Sequence, residues 1–481
     1  MIKFKNIKFG AASAEQEATF EPHLLNQGFY DAWKIVDQAV KGPKSLFLGY
    51  KGSGKSSIGE HLRLTSEGDS SIHVNHIYLS DFPYENFKNI VGGVSSPESR
   101  FPSAWTWILL LHIVELFSRS RVKYGESEDD FDRLVTKLKS EGLFPGVDLR
   151  QIVVASSKPK VRAKLGEMID MDWDPPNSQK MTDLDFLQIV DKLKDHAFKF
   201  KSKSKHLLVI DGLDDILFQK EIQYQSIAAL ILEYTRLNYQ FLRANVPAKI
   251  IVLCRTELYE RLPMPNKNKI RQDSAIELDW YHSPSSPESS HLVHMINKKA
   301  QLSDGNIKAL FVQYFPQTIG KRDTRILFFL LSQTRHTPRD LNRLLHYIQL
   351  CVRGEKPTEP EIFAGLRHYS MKYFYPEIRD ELDGYLKLEQ IDEIMSALAS
   401  IKKWVFTLAE FSNELRGTDT LKKMTLTKVV ELLFDCSAVG NVVKGRNENF
   451  VYTFKYRNRH VNFDANQDLT VHRGLFQALR L

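Results

Sequence analysis

One octapeptide constrains this chain more than any other feature: Gly49-Tyr-Lys-Gly-Ser-Gly-Lys-Ser56. It matches G-x-x-x-x-G-K-[ST] at every fixed position. The apolar run Ser45-Leu-Phe-Leu48 suits a buried strand just before it, and a helical pattern runs from Ser56 to about Leu64 just after. Glycines let such a loop curl with its N–H groups inward, and the helix N-terminus adds a favourable dipole for phosphate. Chance alone yields the pattern in roughly 1–2% of chains this long, and the strand–loop–helix setting reduces that further. Gly49, Gly52, Ser53, Gly54, Lys55, Ser56 and Ser57 are therefore expected to bind a nucleotide, ATP, with Lys55 on the β/γ-phosphates and Ser56 on Mg2+.

A phosphate loop of this kind needs an acid at the tip of another strand. His206-Leu-Leu-Val-Ile-Asp211 is a continuous apolar run ending in one, so Asp211 is the expected magnesium acid. Gly212 follows, then Leu213, Asp214 and Asp215. The spelling resembles the Walker B element of NACHT-type ATPases, which implies that the last two orient water, although acids in the first turn of a helix would carry the same spelling. Lys249-Ile-Ile-Val-Leu253 is a further buried strand, with Arg255 near its tip. This tip resembles that of STAND ATPases, a likeness that implies an arginine sensing the γ-phosphate, and a plain salt bridge is the competing reading. Arg271, in the basic stretch 267–273, is a weaker arginine-finger candidate. Thr337-Pro338-Arg339 opens an amphipathic helix capped by Thr337 and resembles sensor 2 of AAA+ ATPases, which implies that Arg339 contacts phosphate from a helical lid; a plain helix start is the competing reading.

Strands alternating with helices imply an α/β fold with a mainly parallel sheet between helices. Length, 481 residues, asks for more than one domain. The expected division is a lead-in over 1–41 (with a helix from Phe29 to Val40), and a core over 42–290 carrying a helical insertion at about 82–205. A helical lid over 291–385 and a C-terminal domain over 386–481 follow. Residues 256–290 read as loop-rich. The last domain reads as three helices and a hairpin (Ala438–Val443, Phe450–Tyr456), a winged helix. Its wing holds Lys444, Arg446, Lys455 and Arg457, suited to DNA phosphate, while Glu431 and Asp435 on the third helix would repel it. A protein partner is the other use of such a module.

Composition is that of an ordinary globular chain: 42% hydrophobic, 26% charged, formal charge +7. That charge permits nucleic acid without requiring it. The most apolar stretch, 105–117, is interrupted by His112 and Glu115, so a buried helix rather than a membrane span is expected. The start lacks the pattern of a signal peptide. Three scattered cysteines make neither a disulfide framework nor a metal cluster and fit a reducing cytoplasm.

Taken together, the phosphate loop, Asp211-Gly-Leu-Asp-Asp215, the strand-tip Arg255, Pro338-Arg339 and the terminal winged helix resemble AAA+-class ATPases. The likeness is to the STAND/NACHT and origin-recognition types. Phe9-Gly-Ala-Ala-Ser-Ala-Glu15 and Val471-His-Arg-Gly-Leu475 are similar to bacterial P-loop ATPases associated with antiviral defence. The resemblance implies an ATP-hydrolysing switch that self-associates and acts with a separate effector. Its signalling domain and sensor repeats have no counterpart here. A DNA-binding initiator- or repair-type ATPase is the alternative, and a small-molecule kinase a weaker one.

Overall fold

The computed structural model describes residues 2–79, 82–91, 97–120, 128–144, 149–158, 183–213, 221–281, 287–445 and 450–481. The chain forms two compact units, one of residues 31–51 and 55–278, the other of residues 1–30, 52–54 and 279–481.

The first unit is built on five strands: β1 (Leu46–Gly49), β2 (Ile72–Tyr78), β3 (Lys205–Asp211), β4 (Ala248–Arg255) and β5 (Ala275–Glu277). Their order is β2-β3-β4-β1-β5, and every pairing is parallel. A parallel sheet is covered on both faces, so its strands need apolar residues without alternation. Leu46–Leu48, Leu207–Ile210 and Ile250–Cys254 meet that need and are buried throughout. The edge strand β5 lies in the stretch whose prolines and turns suggested loop. It is three residues long, and its partner β1 lies more than 220 positions earlier in the chain, beyond the reach of local patterning.

The helix Pro97–Arg119 packs against the helices Glu221–Arg243 and Asp183–Lys199 and against β3. Its length and apolarity would suffice to cross a membrane, but 83% of its most apolar window is buried within the protein. Two of its polar side chains bond within that core: Trp105 Nε1 donates to the Ser226 carbonyl at 2.8 Å and Thr106 Oγ1 to Glu233 Oε2 at 2.9 Å.

In the second unit, short helices Ala14–Phe20 and Pro22–Gly28 pack with the helix His291–Ser303, and β6 (Thr318–Ile319) pairs antiparallel with β7 (Thr324–Arg325). A buried ion pair, Lys299 Nζ to Glu17 Oε1 at 2.7 Å, joins the helices Ala14–Phe20 and His291–Ser303. The stretch over 9–15 thus serves packing: Phe9 is buried, and the Ala11 N–H donates to Glu17 at 3.1 Å. The helices Pro338–Gln349 and Glu359–Tyr369 cross where Gly365 lets the Ile348 backbone approach; a Cβ there would lie 2.6 Å from the Ile348 Cα. After a π-helical turn, Ser370–Phe374, the chain enters a winged helix. Its helices are Leu388–Ser400, Leu408–Glu414, Asp419–Lys423 and Leu426–Asp435, the five-residue Asp419–Lys423 being additional to the three expected and too short to show a helical period. Its sheet is more than the expected hairpin of β9 (Val439–Lys444) and β10 (Phe450–Thr453), because β8 (Val405–Phe406) and β11 (Asp468–Val471) complete the order β10-β9-β11-β8.

The helix expected from Phe29 to Val40 begins only at Ile35. Lys34 sits in left-handed backbone, and the Asp31 carboxylate accepts from the Ile35 and Val36 amides, which fixes the start there.

Candidate functional site

The phosphate loop leaves β1 at Gly49 and enters the helix Lys55–Gly68. Gly52 and Gly54 have φ of +80° and +90°, a region where a side chain would strain the backbone. Lys55 is buried, and its Nζ donates to the Gly49 carbonyl at 3.1 Å and the Tyr50 carbonyl at 3.2 Å. Ser56 and Ser57 lie in the first helical turn, half-buried, where backbone N–H groups have no intrahelical acceptor. Ser53 is buried; its carbonyl accepts from Trp280 Nε1 at 2.8 Å, while its hydroxyl has no hydrogen-bond partner among the described residues.

Sheet register places the other site residues at the same carboxyl edge. Gly49 pairs with Arg255, the last residue of β4, and Ile210 pairs with Val252. Asp211 therefore ends the strand two places from β1, a separation of about 10 Å at ordinary strand spacing. One strand stands between the phosphate loop and the acid, and the arginine tips that strand. Arg255 is half-buried at the N-cap position of the helix Thr256–Arg261.

Asp211 is buried, and its Oδ1 accepts from the Gly212 amide at 2.7 Å. Gly212 has φ +74°, so the small residue after the acid is one that the turn requires. Asp211 Oδ2 lies 3.6 Å from His76 Nε2 and has no hydrogen bond within the described residues. The opposite ring nitrogen, His76 Nδ1, is 3.1 Å from Glu60 Oε1. Glu60 also accepts from the Tyr78 hydroxyl at 2.6 Å and from Arg63 Nε at 2.8 Å. Burial by itself would raise the Glu60 carboxyl, but the bonds from His76, Tyr78 and Arg63 outweigh it and hold the group at about 2. Burial likewise opposes charge on His76, yet Asp211 and Glu60 raise it above the ordinary imidazole value. Asp214 and Asp215 lie outside the described residues.

In the helical unit, Thr337 caps the helix Pro338–Gln349, its hydroxyl accepting from the Asp340 amide at 3.2 Å, with Pro338 in the first turn. The Arg339 amide lies 3.3 Å from the Gly52 carbonyl, and a Cβ on Gly52 would be 3.1 Å from the Arg339 Cβ. Arg339 is thus seated against the phosphate-loop glycine, while its Nη1 is 3.5 Å from Glu377 Oε1. A buried network underlies this turn. Arg335 bonds Asp340 through Nε at 3.2 Å and its own amide at 2.9 Å, and Tyr373 donates to Asp340 at 2.8 Å. Local patterning did not single out Arg335 or Asp340; the acid at the third helical position was the one available signal.

The remaining candidates are engaged elsewhere. Arg271 lies in a helix, Lys267–Ser274, rather than a loop; it pairs with Glu260 and, through Nε at 2.6 Å, with Glu277. On the wing, Lys444 is exposed at the end of β9. Lys455 Nζ donates to the Val461 carbonyl at 2.8 Å. Arg457 lies over the Phe454 and Tyr456 rings, with Nε donating to the Tyr456 hydroxyl at 3.0 Å. Arg446 is outside the described residues. No group of three or more His, Cys, Asp or Glu suited to a metal occurs among the described residues.

The donor set fits a nucleotide with magnesium. The Ser53 hydroxyl is an unmet polar group within the loop, and Asp211 keeps one oxygen without a hydrogen bond among the described residues. No protein-family model and no curated protein matches the chain. Among solved structures it is similar to the Orc1 protein of Aeropyrum pernix in complex with DNA, at 12% identity and a TM-score of 0.36 over 95% of this chain and 91% of that one. It is also similar to Cdc6p of Pyrobaculum aerophilum, at 12% identity and a TM-score of 0.33 over 98% of this chain and 95% of that one. Likenesses of that size carry neither fold nor activity over to this chain.

Proposed function

We propose that the chain is an ATP-binding and ATP-hydrolysing switch of the AAA+/STAND type. The observation that carries the reading is the phosphate loop itself: left-handed Gly52 and Gly54 and buried Lys55, at the same sheet edge as Asp211. Lys55 would hold the β/γ-phosphates, and Ser56 with Asp211 would hold Mg2+, which when bound neutralises charge on the phosphoryl group. Arg255 at the strand tip is a cation suited to reading the γ-phosphate, and the same role is assigned to Arg339 on its sequence resemblance. Asp214 and Asp215 are assigned to orienting water on sequence grounds alone.

Such a switch shifts its equilibrium only by the difference in nucleotide affinity between its states. Arg339 supports one way to create that difference, since its partner Glu377 is an acid that a phosphate could replace. Self-association, a separate effector and a part in antiviral defence rest on the sequence resemblance. A cytoplasmic setting suits three cysteines that form no disulfide.

Titration calorimetry of the full chain with MgATP tests the reading. Lys55→Ala removes charge-assisted bonds worth about 3 kcal/mol, so affinity should fall about 100-fold. Wild-type affinity in that variant would refute the assignment.

The alternative, a DNA-binding initiator- or repair-type ATPase, is favoured by the exposed Lys444 on the wing.

A further inference from the structure

A buried chain of side chains runs from the phosphate-loop helix to the magnesium acid: Glu60 on the helix, His76 on β2 and Asp211 at the tip of β3. We propose that His76 is a positioning residue for Asp211, aiming the carboxylate that receives the metal. This rests on the nucleotide-and-magnesium reading above and names a residue outside the loop for it.

Three observations support it. The first is orientation. Glu60 Oε1 takes His76 Nδ1 at 3.1 Å and Tyr78 Oη at 2.6 Å, and Arg63 fixes the other carboxylate oxygen at 2.8 Å. A carboxylate held by three donors in turn fixes the imidazole plane, as second partners do for groups around a metal.

The second is the facing pair. Asp211 Oδ1 is committed to the Gly212 amide, and Oδ2 faces His76 Nε2 at 3.6 Å. Neither Oδ2 nor Nε2 has another hydrogen-bond partner among the described residues. Leaving a buried polar atom unmet costs about 1–3 kcal/mol, so a few tenths of an ångström of movement that closes this gap is favoured.

The third is space. Gly59 lies inside the helix Lys55–Gly68, where glycine costs about 1 kcal/mol relative to alanine. A Cβ there would lie 2.5 Å from the His76 ring, so the glycine admits the imidazole beside the helix.

A purely structural pair would make the same contacts. The two differ in what they do to magnesium. The test measures nucleotide affinity of the full chain with saturating Mg2+ and with EDTA, and the Mg2+ concentration at half-effect, for wild type, His76→Phe, His76→Gln and Tyr78→Phe. His76→Phe should raise the half-effective Mg2+ concentration about 10-fold, the lower end for loss of a second partner at a metal ligand. Binding in EDTA should change less than about 2-fold. His76→Gln, which keeps a donor toward Asp211, should recover most of the metal response. Tyr78→Phe, acting one step away, should give a smaller shift of the same kind, and it tests the relay even if His76→Phe does not fold.

Equal losses with and without Mg2+, or an unchanged Mg2+ response in Tyr78→Phe and His76→Phe, would overturn the proposal. Absence of nucleotide binding by the wild type would instead defeat the phosphate-loop reading itself.

Discussion

Acid should weaken the second unit through His472, and replacing that residue should remove part of the sensitivity. His472 follows the last strand of the winged-helix sheet and packs on Phe374, with ring centroids 4.8 Å apart, and on Phe454 at 5.3 Å. Its Nδ1 accepts from the Gly474 amide at 3.0 Å, so that nitrogen carries no proton in the folded state. Burial, followed by the charge of Arg335, pushes the imidazole from its ordinary 6.5 down to about 3. A group whose folded value lies below its unfolded one contributes stability that is whole above the unfolded pKa. That contribution drains as pH falls toward the folded value. At pH 5 the unfolded imidazole has taken up its proton and the folded one has not, which costs about 2 kcal/mol relative to neutral pH. His472→Asn keeps an acceptor for the Gly474 amide and removes the titration. It loses packing, but by an amount independent of pH. Urea unfolding of the full chain at pH 7 and pH 5 reads the difference: with m near 2 kcal/mol/M, the acid shift in midpoint should be smaller by about 1 M in the variant. Parallel shifts in the two proteins would refute the reasoning.

Arg335→Met should destabilise the helical unit by about 3–5 kcal/mol, because it leaves Asp340 buried without its cation, and denaturant midpoints read the loss. Gly365→Ala sets a helix-propensity gain of about 1 kcal/mol against a clash with the Ile348 backbone. Backbone cannot rotate aside, so the clash should win, with a net loss of about 1–2 kcal/mol by thermal unfolding. If duplex DNA binds, Lys444→Ala should reduce the salt slope of binding by about one, and Lys455→Ala, whose ammonium is held by the Val461 carbonyl, should leave it unchanged. Binding insensitive to salt would remove the DNA reading.

What could be read from the amino-acid sequence is what lies contiguous in it. The octapeptide Gly49–Ser56 carries its own turn chemistry. The unbroken apolar runs at 206–210 and 249–253 announce strands covered on both faces, and Thr337-Pro338 announces a capped helix. Each depends on neighbours within a few residues, so local pattern suffices. Tertiary structure alone decided the rest. Strand β5 exists because β1 offers an edge to Ala275–Glu277, β11 because β9 offers one, and β8 because β11 does in turn. Residues 1–30 join the helical unit through Glu17 and Lys299, 282 positions apart. The wing cations Lys455 and Arg457 look free in sequence, but the fold spends them on a carbonyl and two aromatic rings. The Glu60–His76–Asp211 relay joins positions 60, 76 and 211, and no periodicity connects them. A side chain's partners across a sheet are set by strand order, which depends on the burial of the whole unit and leaves no trace in local spacing.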